Sequence, residues 1–599
     1  MLRLSNILCF LLICIFPSLG QVKVIDASRL TDKYPYRFYP DVEGKVVIDE
    51  GYFNYLSSEE NKDDITVFPQ WPVARAGSNE RGGVYGNLDD DPELELVYPV
   101  GAALYAFNID ASNVTGWPQI LDYPTDGAPA FGDIDGDGVG EIVVSTHEIA
   151  TFSSGTIYAF EINGTNVSGF PVTTVGGGVR TPVLADLDGD DALEIIIAVR
   201  DWPEGFIYVY RGDGTVFPDW PQRMDYVPGS TVAVGDINGD EIPEIIAESY
   251  YSLHAFKTDG TLLPGFPYLP DTTGTRVFSY STPVLADLDG DGNREIVCGD
   301  HSITDGTGAV HVVKNDGTSL EAWPKLTGSW IYGPPSIGDI NDDGSLDIAV
   351  GDQTLSATPV NKVYAWTAIT GNPLPGFPIT DIFAVNSQII LADIDGDHEI
   401  ELMFDDNTSD GKYPGYNHDG TIMEGWPLIV NGSTFFINPL VANINRDGIM
   451  AISGGGTDQG SGNTNLYLWN ANVEYNADLA VLPILQYNTR HNGVFGDYLM
   501  VGTPEVPGKV KEGWKIFPNP ATNSITLNPP DFGGNSSLPE YLQIGIYSSS
   551  GIKICSQKYS MAGGGLHFDL TGYPSGIYWL IIKSDSRFEE LFKFLIISR

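Results

Sequence analysis

The chain has 599 residues, 42% of them hydrophobic, and its 79 acidic residues against 31 lysines and arginines give a formal net charge of −48. This length allows several domains with buried cores, and the composition excludes a disordered chain. The charge argues against nucleic acid and anionic membrane surfaces as partners, because both require a basic surface.

The first 20 residues have the composition of a secretory signal peptide. A basic start at Arg3 precedes an apolar stretch over residues 7–16, and small residues lead to a cleavage point before Gln21. The apolar stretch is too short to span a membrane, and no later segment is long enough. The mature chain is therefore predicted to lie outside the cytoplasm without an integral membrane segment. Residues 21–66 follow without an assigned role.

The cysteines give no disulfide framework. Cys9 and Cys14 leave with the signal peptide, so only Cys298 and Cys555 remain, and their wide separation predicts two isolated buried thiols. Cys14 leaves a lipoprotein anchor as an alternative, although Ile13 is large for the position before a lipidated cysteine.

An acidic loop recurs through most of the chain. The copy GDIDGDGVGE runs from Gly132 to Glu141, and the first loop positions of all eight copies are residues 87, 133, 186, 236, 287, 339, 393 and 443. They are spaced 46 to 54 residues apart. A period near fifty residues is typical of a repeat architecture in which each repeat is one supersecondary unit.

Each repeat is predicted to contain four short β-strands. In the second copy the loop is followed by EIVVS, then by the alternating TIYAFEI, a turn and an aromatic–proline pair. Because proline cannot donate the hydrogen bond of a central strand, this pair places the fourth strand at the edge of its sheet. The pairs are Trp117-Pro118, Phe170-Pro171, Trp220-Pro221, Phe266-Pro267, Trp323-Pro324, Phe377-Pro378 and Trp426-Pro427. Four-stranded units repeated in this way predict an all-β fold, an eight-bladed β-propeller over residues 67–497.

The closure of the ring has two candidates. Leu482-Pro483 follows the last loop and is favoured as the final fourth strand, which leaves Trp71-Pro72 as a lead-in or as an extra closing strand. A seven-bladed ring with a vestigial last unit is the alternative, because the eighth loop has diverged most.

The acidic loops are predicted to bind Ca²⁺. Loop positions 1, 3, 5 and 9 carry side-chain oxygens in seven copies, and hard oxygen ligands in a flexible loop suit Ca²⁺ better than Mg²⁺ or Zn²⁺. The predicted ligands are Asn87, Asp89, Asp91, Glu95, Asp133, Asp135, Asp137, Glu141, Asp186, Asp188, Asp190, Glu194, Asp236, Asn238, Asp240, Glu244, Asp287, Asp289, Asp291, Glu295, Asp339, Asn341, Asp343, Asp347, Asp393, Asp395, Asp397 and Glu401. The eighth copy has Ala451 at position 9 and is expected to bind weakly or not at all.

Two other roles for the loops are less favoured. A solvated acidic turn explains one loop but not seven copies with oxygens at the same positions. Catalytic carboxylates require one or two residues in unlike environments, not one cluster repeated on each blade. We therefore assign no catalytic residue.

The loops resemble a known family of repeats. The D-x-D-G-D-G-x-x-E pattern before an apolar strand resembles the FG-GAP or VCBS repeats of integrin-α-type propellers and of many secreted bacterial proteins. The resemblance covers about residues 68–495 and implies a propeller with bound Ca²⁺. It does not imply one function, because such propellers include adhesins, lectin-like binders, enzyme appendages and some lyases.

A second resemblance lies at the C-terminus, after a charged linker over residues 498–513. IFPNPATNSITLN from Ile516, LQIGIYSSSGIKI from Leu542 and LTGYPSGIYWLII from Leu570 form alternating strands of a small β-sandwich over residues 514–599. They resemble the type A sorting domain of the type IX secretion system of Bacteroidota. This implies export by that machinery and release or attachment at the surface of a Gram-negative bacterium; an ordinary adhesive sandwich is the alternative.

Two functions remain from the sequence. The favoured one is a non-catalytic, calcium-stabilised surface or secreted propeller that binds a glycan or protein ligand. The alternative is a polysaccharide lyase, because rhamnogalacturonan lyases of eight-bladed form are similar in their repeated loops. The even repeats leave little room for the insertions of an active cleft, and no H-E-x-x-H or G-x-S-x-G motif occurs. Arg211-Gly212-Asp213 is interpreted as part of a hairpin turn and not as an integrin ligand.

Overall fold

The computed structural model describes residues 38–40, 46–48, 65–89, 91–148, 153–278, 280–354, 359–406 and 411–497, and seven strands between residues 515 and 596. The predicted signal peptide 1–20 and linker 498–513 lie outside the described residues, as does most of segment 21–66. Every regular element in the described residues is a β-strand. Within this part of the chain no helix has the length and apolarity needed to cross a membrane.

The strands are numbered β1 to β44 in chain order. In the N-terminal unit Met1–Asp64, β1 (Phe38–Pro40) pairs with β2 (Val46–Ile48). The next two strands, β3 (Thr66–Val67) and β4 (Val73–Ala76), belong to the last blade. The C-terminal strands form two sheets, which contain β38 (Lys515–Phe517), β39 (Ser524–Asn528) and β42 (Leu566–Asp569), and β40 (Tyr541–Ser548), β41 (Lys553–Ser560), β43 (Gly576–Ser584) and β44 (Arg587–Ile596).

Eight antiparallel blades follow one another between these two regions, as predicted. Blades 1 to 4 contain β5 (Val84–Gly86), β6 (Glu95–Val100), β7 (Ala103–Phe107) and β8 (Gln119–Ile120); β9 (Ala130–Gly132), β10 (Glu141–His147), β11 (Ser154–Phe160) and β12 (Val172–Val175); β13 (Gly177–Ala185), β14 (Glu194–Asp201), β15 (Glu204–Tyr210) and β16 (Gln222–Met224); and β17 (Ala233–Gly235), β18 (Glu244–Glu248) and β19 (Leu253–Phe256). In blade 4 a bridge from Tyr268 to Leu253 takes the outer position.

Blades 5 to 8 keep this order from the inner to the outer strand. They contain β20 (Arg276–Val277), β21 (Val284–Ala286), β22 (Glu295–Ser302), β23 (Gly308–Val313) and β24 (Lys325–Thr327); β25 (Trp330–Ile331), β26 (Ser336–Gly338), β27 (Asp347–Gln353), β28 (Asn361–Thr367) and β29 (Ile379–Ile382); β30 (Ile390–Ala392), β31 (Glu401–Met403), β32 (Lys412–Tyr413), β33 (Gly415–Tyr416) and β34 (Leu428–Ile429); and β35 (Leu440–Ala442), β36 (Ile449–Asp458) and β37 (Asn463–Glu474).

The ring is closed by the N-terminal candidate, so the preference for Leu482-Pro483 is wrong. Strand β4 begins directly after Trp71-Pro72 and pairs with β37 as the outer strand of blade 8. The Trp71 indole N–H then donates to the Ile109 carbonyl of blade 1 at 2.7 Å. This hydrogen bond joins the last blade to the first, and Trp117, Trp220 and Trp323 make the same kind of bond to the following blade.

Leu482-Pro483 instead belongs to a segment that fills the centre of the ring. We call residues 476–497 the channel segment, because its backbone carbonyls accept hydrogen bonds from the innermost strands of several blades. The donors are the amides of Phe131, Leu184, Val234, Leu285, Leu391 and Val441, at 2.8 to 3.3 Å. In blade 6 the Tyr487 hydroxyl accepts from the Ile337 amide at 2.8 Å. The segment therefore forms hydrogen bonds with blades 2 to 8.

The interior of the blades is apolar. The inner faces bury the aliphatic residues of the second and third strands, such as Val97, Val143 and Val310, almost completely. Cys298 of β22 is one of these buried side chains and is a free thiol, as predicted. Burial raises the pKa of this thiol.

Candidate functional site

The two faces of the ring carry different loops. Because the strands of a blade alternate in direction, the acidic loops and the Asp-Gly turns lie on one face, which we call the loop face. The turns between the second and third strands, and the connections between blades, lie on the other face, which we call the blade-connection face. Each face contains a candidate site.

The acidic loop folds around its own carboxylates. In the second copy, Oδ1 of Asp133 accepts a hydrogen bond from the Gly136 amide at 2.7 Å, and its Oδ2 accepts from the Gly138 amide at 2.9 Å. Asp135 and Asp137 each accept from the amide two residues later. Gly136 has φ +77°, a conformation that glycine adopts without strain. The sequence therefore forms a tight loop with its carboxylates directed inward.

The carboxylate at loop position 9 is the buried floor of the site. It is the first residue of the second strand, and one oxygen accepts from the amide at loop position 2 at 2.6 to 3.0 Å in all seven loops. These side chains are Glu95, Glu141, Glu194, Glu244, Glu295, Asp347 and Glu401. The second oxygen of Glu141, Asp347 and Glu401 has no hydrogen-bond partner among the described residues. A buried carboxylate oxygen without a donor is the arrangement that a cation completes.

Burial raises the pKa of these position-9 carboxyls. The pKa is raised to about 8 for Glu95, Glu141 and Glu401. It is raised to about 7 for Glu194, Glu244, Glu295 and Asp347. Desolvation is the largest cause, and the neighbouring aspartates of the same loop add to it, because negative charges in one site oppose each other.

The structure brings three or four of the predicted acidic ligands together in each of five loops, and Asp137, Asp190 and Glu295 lie outside these clusters. One ligand atom from each of three or four acidic residues lies within 4.8 Å of the others in the clusters Asp89, Asp91 and Glu95; Asp133, Asp135 and Glu141; Asp186, Asp188 and Glu194; Asp287, Asp289 and Asp291; and Asp393, Asp395, Asp397 and Glu401. In two further loops an asparagine replaces one acid, and Asn238 donates to Glu244 while Asn341 donates to Asp343. The chemistry of all these donors fits a hard cation.

The eighth loop has no carboxylate at loop position 9. Asn443 still accepts from the Gly448 amide at 3.1 Å, and Asn445 still donates to Asp447. Position 9 is Ala451, which offers no oxygen. The loop keeps its turn through the hydrogen bonds that Asn443 and Asp447 accept from the Gly448 and Ile449 amides.

The blade-connection face differs from blade to blade at its centre. The residues six positions before the first loop position are Arg81, Gly127, Arg180, Ser230, Ser281, Gly333, Ser387 and Ile437. The residues seven positions before it are Glu80, Asp126, Val179, Gly229, Tyr280, Tyr332, Asn386 and Phe436. These equivalent positions vary, whereas the loop positions repeat. Variation at equivalent sites of a repeat is expected where the residues serve a ligand and not the architecture.

Side chains from distant blades meet there. Arg180 of blade 3 lies over the Tyr280 ring of blade 5 at 5.2 Å and over the Phe436 ring of blade 8 at 5.5 Å. Its Nη1 is 3.7 Å from Glu80 and 3.4 Å from Asp126. Contacts between non-adjacent blades show that these side chains converge near the ring axis. We call Glu80, Arg81, Asp126, Arg180, Tyr280, Tyr332 and Phe436 the mouth cluster.

A row of aromatic rings leads from the rim of blade 3 to the mouth cluster. Successive ring centres are 4.2 to 6.5 Å apart along Trp202, Tyr226, Tyr251, Tyr250, His301, Trp330, Tyr332 and Tyr280. Trp202 is 70% exposed and Tyr251 is 42% exposed. We call this row the aromatic track. It was not predicted from the sequence, because its members come from four blades and lie outside the repeated loop and aromatic–proline positions.

One serine–histidine–aspartate group lies near the track, but its geometry is not that of a catalytic triad. The Ser252 hydroxyl is 2.9 Å from Nε2 of His254, and Asp225 is 3.4 Å from the same nitrogen. A triad requires the serine and the carboxylate on opposite ring nitrogens. Ser252 is also fully buried, so it does not face a substrate.

Asp213 and Gly214 form the predicted turn between β15 and β16. The Asp213 carboxylate accepts from the Thr215 amide at 2.9 Å, and the Arg211 amide donates to the Thr215 carbonyl. A Cβ atom on Gly212 would lie 1.8 Å from the Ile134 carbonyl of the neighbouring loop. The tripeptide is therefore a close-packed turn.

The comparisons with known proteins identify two parts of the chain. Residues 515–598 match the secretion system C-terminal sorting domain, and residues 186–247 and 287–350 match the FG-GAP-like repeat. No curated protein sequence matches the chain.

Several solved structures are similar in fold at low identity. The exotype rhamnogalacturonan lyase YesX has 16% identity and a TM-score of 0.49, with 79% of this chain and 82% of that chain covered. Rhamnogalacturonan lyase YesW has 14% identity and a TM-score of 0.48, with 74% and 83% covered. The V. cholerae biofilm matrix protein Bap1 has 13% identity and a TM-score of 0.37, with 75% and 95% covered.

The repeated loops, the eight blades and the C-terminal match agree with one another. The sorting domain indicates export by the type IX secretion system, hence a position outside the cell or on its surface. The chain is an eight-bladed β-propeller protein of FG-GAP-like repeats that carries a C-terminal secretion sorting domain.

Proposed function

We propose that the protein is an extracellular, calcium-stabilised binding module that holds a glycan on the aromatic track and catalyses no reaction. The ions belong to the loop face and the ligand to the blade-connection face. The observation that carries the proposal is the aromatic track, a row of rings with exposed members at one end and a cluster of charged side chains at the other.

The calcium part rests on the donor set of the loops. In each of the seven loops the side chains at positions 1, 3, 5 and 9 would hold the ion, and position 9 would supply the buried oxygen. A bound Ca²⁺ supplies positive charge that offsets the repulsion between these carboxylates and ties the first strand of a blade to the second. Seven ions would reduce the formal charge from −48 to −34. The loops would thus stabilise the ring without touching the ligand.

The glycan part rests on the geometry of the track. Sugar rings stack on aromatic side chains through their apolar faces, and tyrosine and tryptophan also offer a polar group at the edge of the ring. Trp202 and Tyr251 are exposed without a ligand, which costs free energy that a stacked sugar would recover. Their spread over neighbouring blades suits an extended chain better than a single sugar.

The test is a binding measurement on the full chain with a panel of soluble polysaccharides, by calorimetry in the presence of Ca²⁺. The double variant Trp202→Ala, Tyr251→Ala is expected to bind the recognised polysaccharide about tenfold or more weakly, since each lost stacking contact contributes roughly 0.5–1.5 kcal/mol. Ile120→Ala is the control, because Ile120 is 75% exposed on the outer strand of blade 1. Equal binding by the double variant and the wild type would contradict the track.

The same polysaccharides test the absence of catalysis. Incubation with acidic polysaccharides, followed by absorbance of unsaturated products, should give no signal above the protein-free blank. Product that accumulates in proportion to protein concentration would replace the binding-module proposal with the lyase alternative.

A further inference from the structure

Two buried arginines of the mouth cluster have side-chain donors without an acceptor among the described residues. Arg81 is 4% exposed and Arg180 is 6% exposed. Nε and Nη2 of Arg81 and Nε of Arg180 have no partner among the described residues. A buried guanidinium donor without an acceptor is costly, because it has lost water and gained nothing in exchange. These donors therefore point to an acceptor that the described residues do not provide.

Another arginine of the same face shows how this chain satisfies a guanidinium when the role is structural. Nε and Nη2 of Arg276 donate to the two carboxylate oxygens of Asp300 at 2.7 and 2.6 Å. Arg180 has only looser ion pairs with Glu80 and Asp126, and among the described residues no carboxylate lies within 4.0 Å of Arg81. The bidentate arrangement at Arg276 is the one that Arg81 lacks.

The electrostatics of Arg81 agree with a missing anion. Burial is the largest cause that lowers the pKa of Arg81, to about 9, and the positive charge of Arg180 is the next. The carboxylates of Asp126, Glu80 and Asp405 oppose this lowering. Oδ1 of Asp405 accepts from the Asn386 and Ser387 amides and from the Ser387 hydroxyl, each at 2.8 Å, and its Oδ2 has no hydrogen-bond partner among the described residues. Among the described residues none of these carboxylates lies within 4.0 Å of Arg81, so an anionic ligand would supply the acceptor that its guanidinium lacks.

The two arginines are held rigidly next to the aromatic track. The Phe436 ring lies under both guanidiniums, 4.6 Å from Arg81 and 5.5 Å from Arg180, and Arg180 also contacts Tyr280 at the inner end of the track. Arg81, Arg180 and Phe436 have φ of 69°, 65° and 60°. Residues other than glycine adopt such positive backbone φ angles at a cost in free energy. This strain persists where the surrounding structure fixes a functional geometry. The inner end of the track thus lies against Arg180, and the Phe436 ring connects Arg180 to Arg81.

We propose that Arg81 and Arg180 bind the anionic group of an acidic sugar residue in a polysaccharide chain that lies along the aromatic track. The inference rests on the proposed glycan binding and names the class of glycan. The rings contact the apolar faces of the sugars, and the guanidiniums donate hydrogen bonds to a carboxylate or a sulfate ester. The two arginines distinguish acidic from neutral chains, because leaving their donors unpaired disfavours a neutral sugar.

The experiment compares two forms of one polymer on the Ca²⁺-loaded full chain at 0.15 M salt. Polygalacturonate carries a free carboxylate on each sugar, and its fully methyl-esterified form has the same backbone without that charge. A sulfated galactan forms a third arm, which distinguishes sulfate from carboxylate as the anion. Calorimetry measures binding of each polymer to the wild type and to Arg81→Gln, Arg180→Gln and Lys257→Gln. The last variant removes one positive charge from an exposed turn on the loop face.

The wild type should bind polygalacturonate or the sulfated galactan at least about tenfold more tightly than the esterified polymer. Each arginine variant should lose most of this preference and still bind the esterified polymer, which shows that the variant is folded and its track intact. Lys257→Gln should keep the preference. A wild type that binds charged and esterified forms equally, or arginine variants that keep the preference, would overturn the inference and leave glycan binding standing. Binding to no polysaccharide of the panel would overturn both.

Discussion

At the scale of residues, the buried carboxylate at loop position 9 fixes the loop even without an ion. One oxygen of Glu141 holds the Ile134 amide at 2.8 Å, and its other oxygen has no partner among the described residues. The same side chain therefore shapes the loop and leaves one ligand atom for a cation. The repeated pattern made this position predictable from sequence. The identity of the mouth residues was not predictable, because variation between repeats indicates a function only when the ring geometry shows that the varying residues meet.

Replacement of Glu141 by glutamine separates these two roles. Glutamine still accepts the Ile134 amide but does not offer a charged oxygen, so Glu141→Gln should lower stability by about 1–3 kcal/mol in Ca²⁺. In metal-free buffer it should be as stable as the wild type or more so, because glutamine folds without the proton uptake that burial imposes on Glu141, whose pKa is raised to about 8. Thermal unfolding under both conditions measures the difference. Asp447→Asn in the eighth loop, where Ala451 offers no ligand, is the matched control and should change neither value.

The raised pKa values of the position-9 carboxyls predict a pH dependence. Their folded pKa values of about 7 to 8 lie above the ordinary value of 4.5 for glutamate, so the folded metal-free chain binds more protons than the unfolded chain. The contribution of these carboxyls to the free energy of unfolding is then fully present below about pH 4.5 and is lost as the pH rises through 7 to 8. The melting temperature of protein stripped of metal by dialysis should fall from pH 5 to pH 8. Ca²⁺ should remove this fall, and a flat metal-free profile would refute the assignment.

At the scale of elements, the closure of the ring depends on β4 and on one tryptophan. Both candidates for the fourth strand of blade 8 contain a proline, although only Trp71-Pro72 has the aromatic residue that precedes the proline in the other blades. The pairing register of β37 identifies the strand that closes the ring. Strand β4 pairs with β37 from Val73 to Ala76, and Trp71 reaches blade 1, whereas Leu482 forms only an isolated bridge to Leu391. The aromatic–proline pairs, by contrast, correctly predicted the outer strands.

The loss of Trp71 should weaken the whole ring. Trp71 is buried, packs edge-on against Phe107 at 5.7 Å between ring centres, and donates to Ile109. Trp71→Ala should reduce the free energy of unfolding by about 3–5 kcal/mol. The exposed Trp202 provides the control, because Trp202→Ala should stay within about 0.5 kcal/mol of the wild type. Chemical denaturation of both variants in Ca²⁺ measures the two values, and a Trp71 effect as small as the control would show that the closure is not limiting.

At the scale of the whole molecule, charge and architecture are linked. A chain with a net charge of −48 has to fold against its own repulsion, and its acidic residues are concentrated in loops on one face. The eight-bladed ring could be predicted from the period of the loops. The channel segment was not predicted, because its hydrogen bonds to six blades are accepted by backbone carbonyls, which carry no sequence signature.

Removal of Ca²⁺ should therefore destabilise the full chain. Excess EGTA at pH 7.5 is expected to lower the melting temperature, and equilibrium dialysis should find about seven ions per chain, one for each loop with an acid at position 9. Raising the salt concentration should recover part of the loss, because salt screens the repulsion between exposed loops. Mg²⁺ at the same concentration should be less effective, and an unchanged melting temperature after chelation would disprove the calcium assignment.

The order of the structural parts along the chain links completion of the ring to export. Strand β4, which closes blade 8, is synthesised before any other strand of the eight blades except β3. The channel segment is synthesised after all the blades, and the sorting domain follows it. A chain that stops early in synthesis would have an open ring, an empty centre and no sorting domain to direct it out of the cell. Only a chain long enough to complete the ring therefore carries the sorting domain that directs its export.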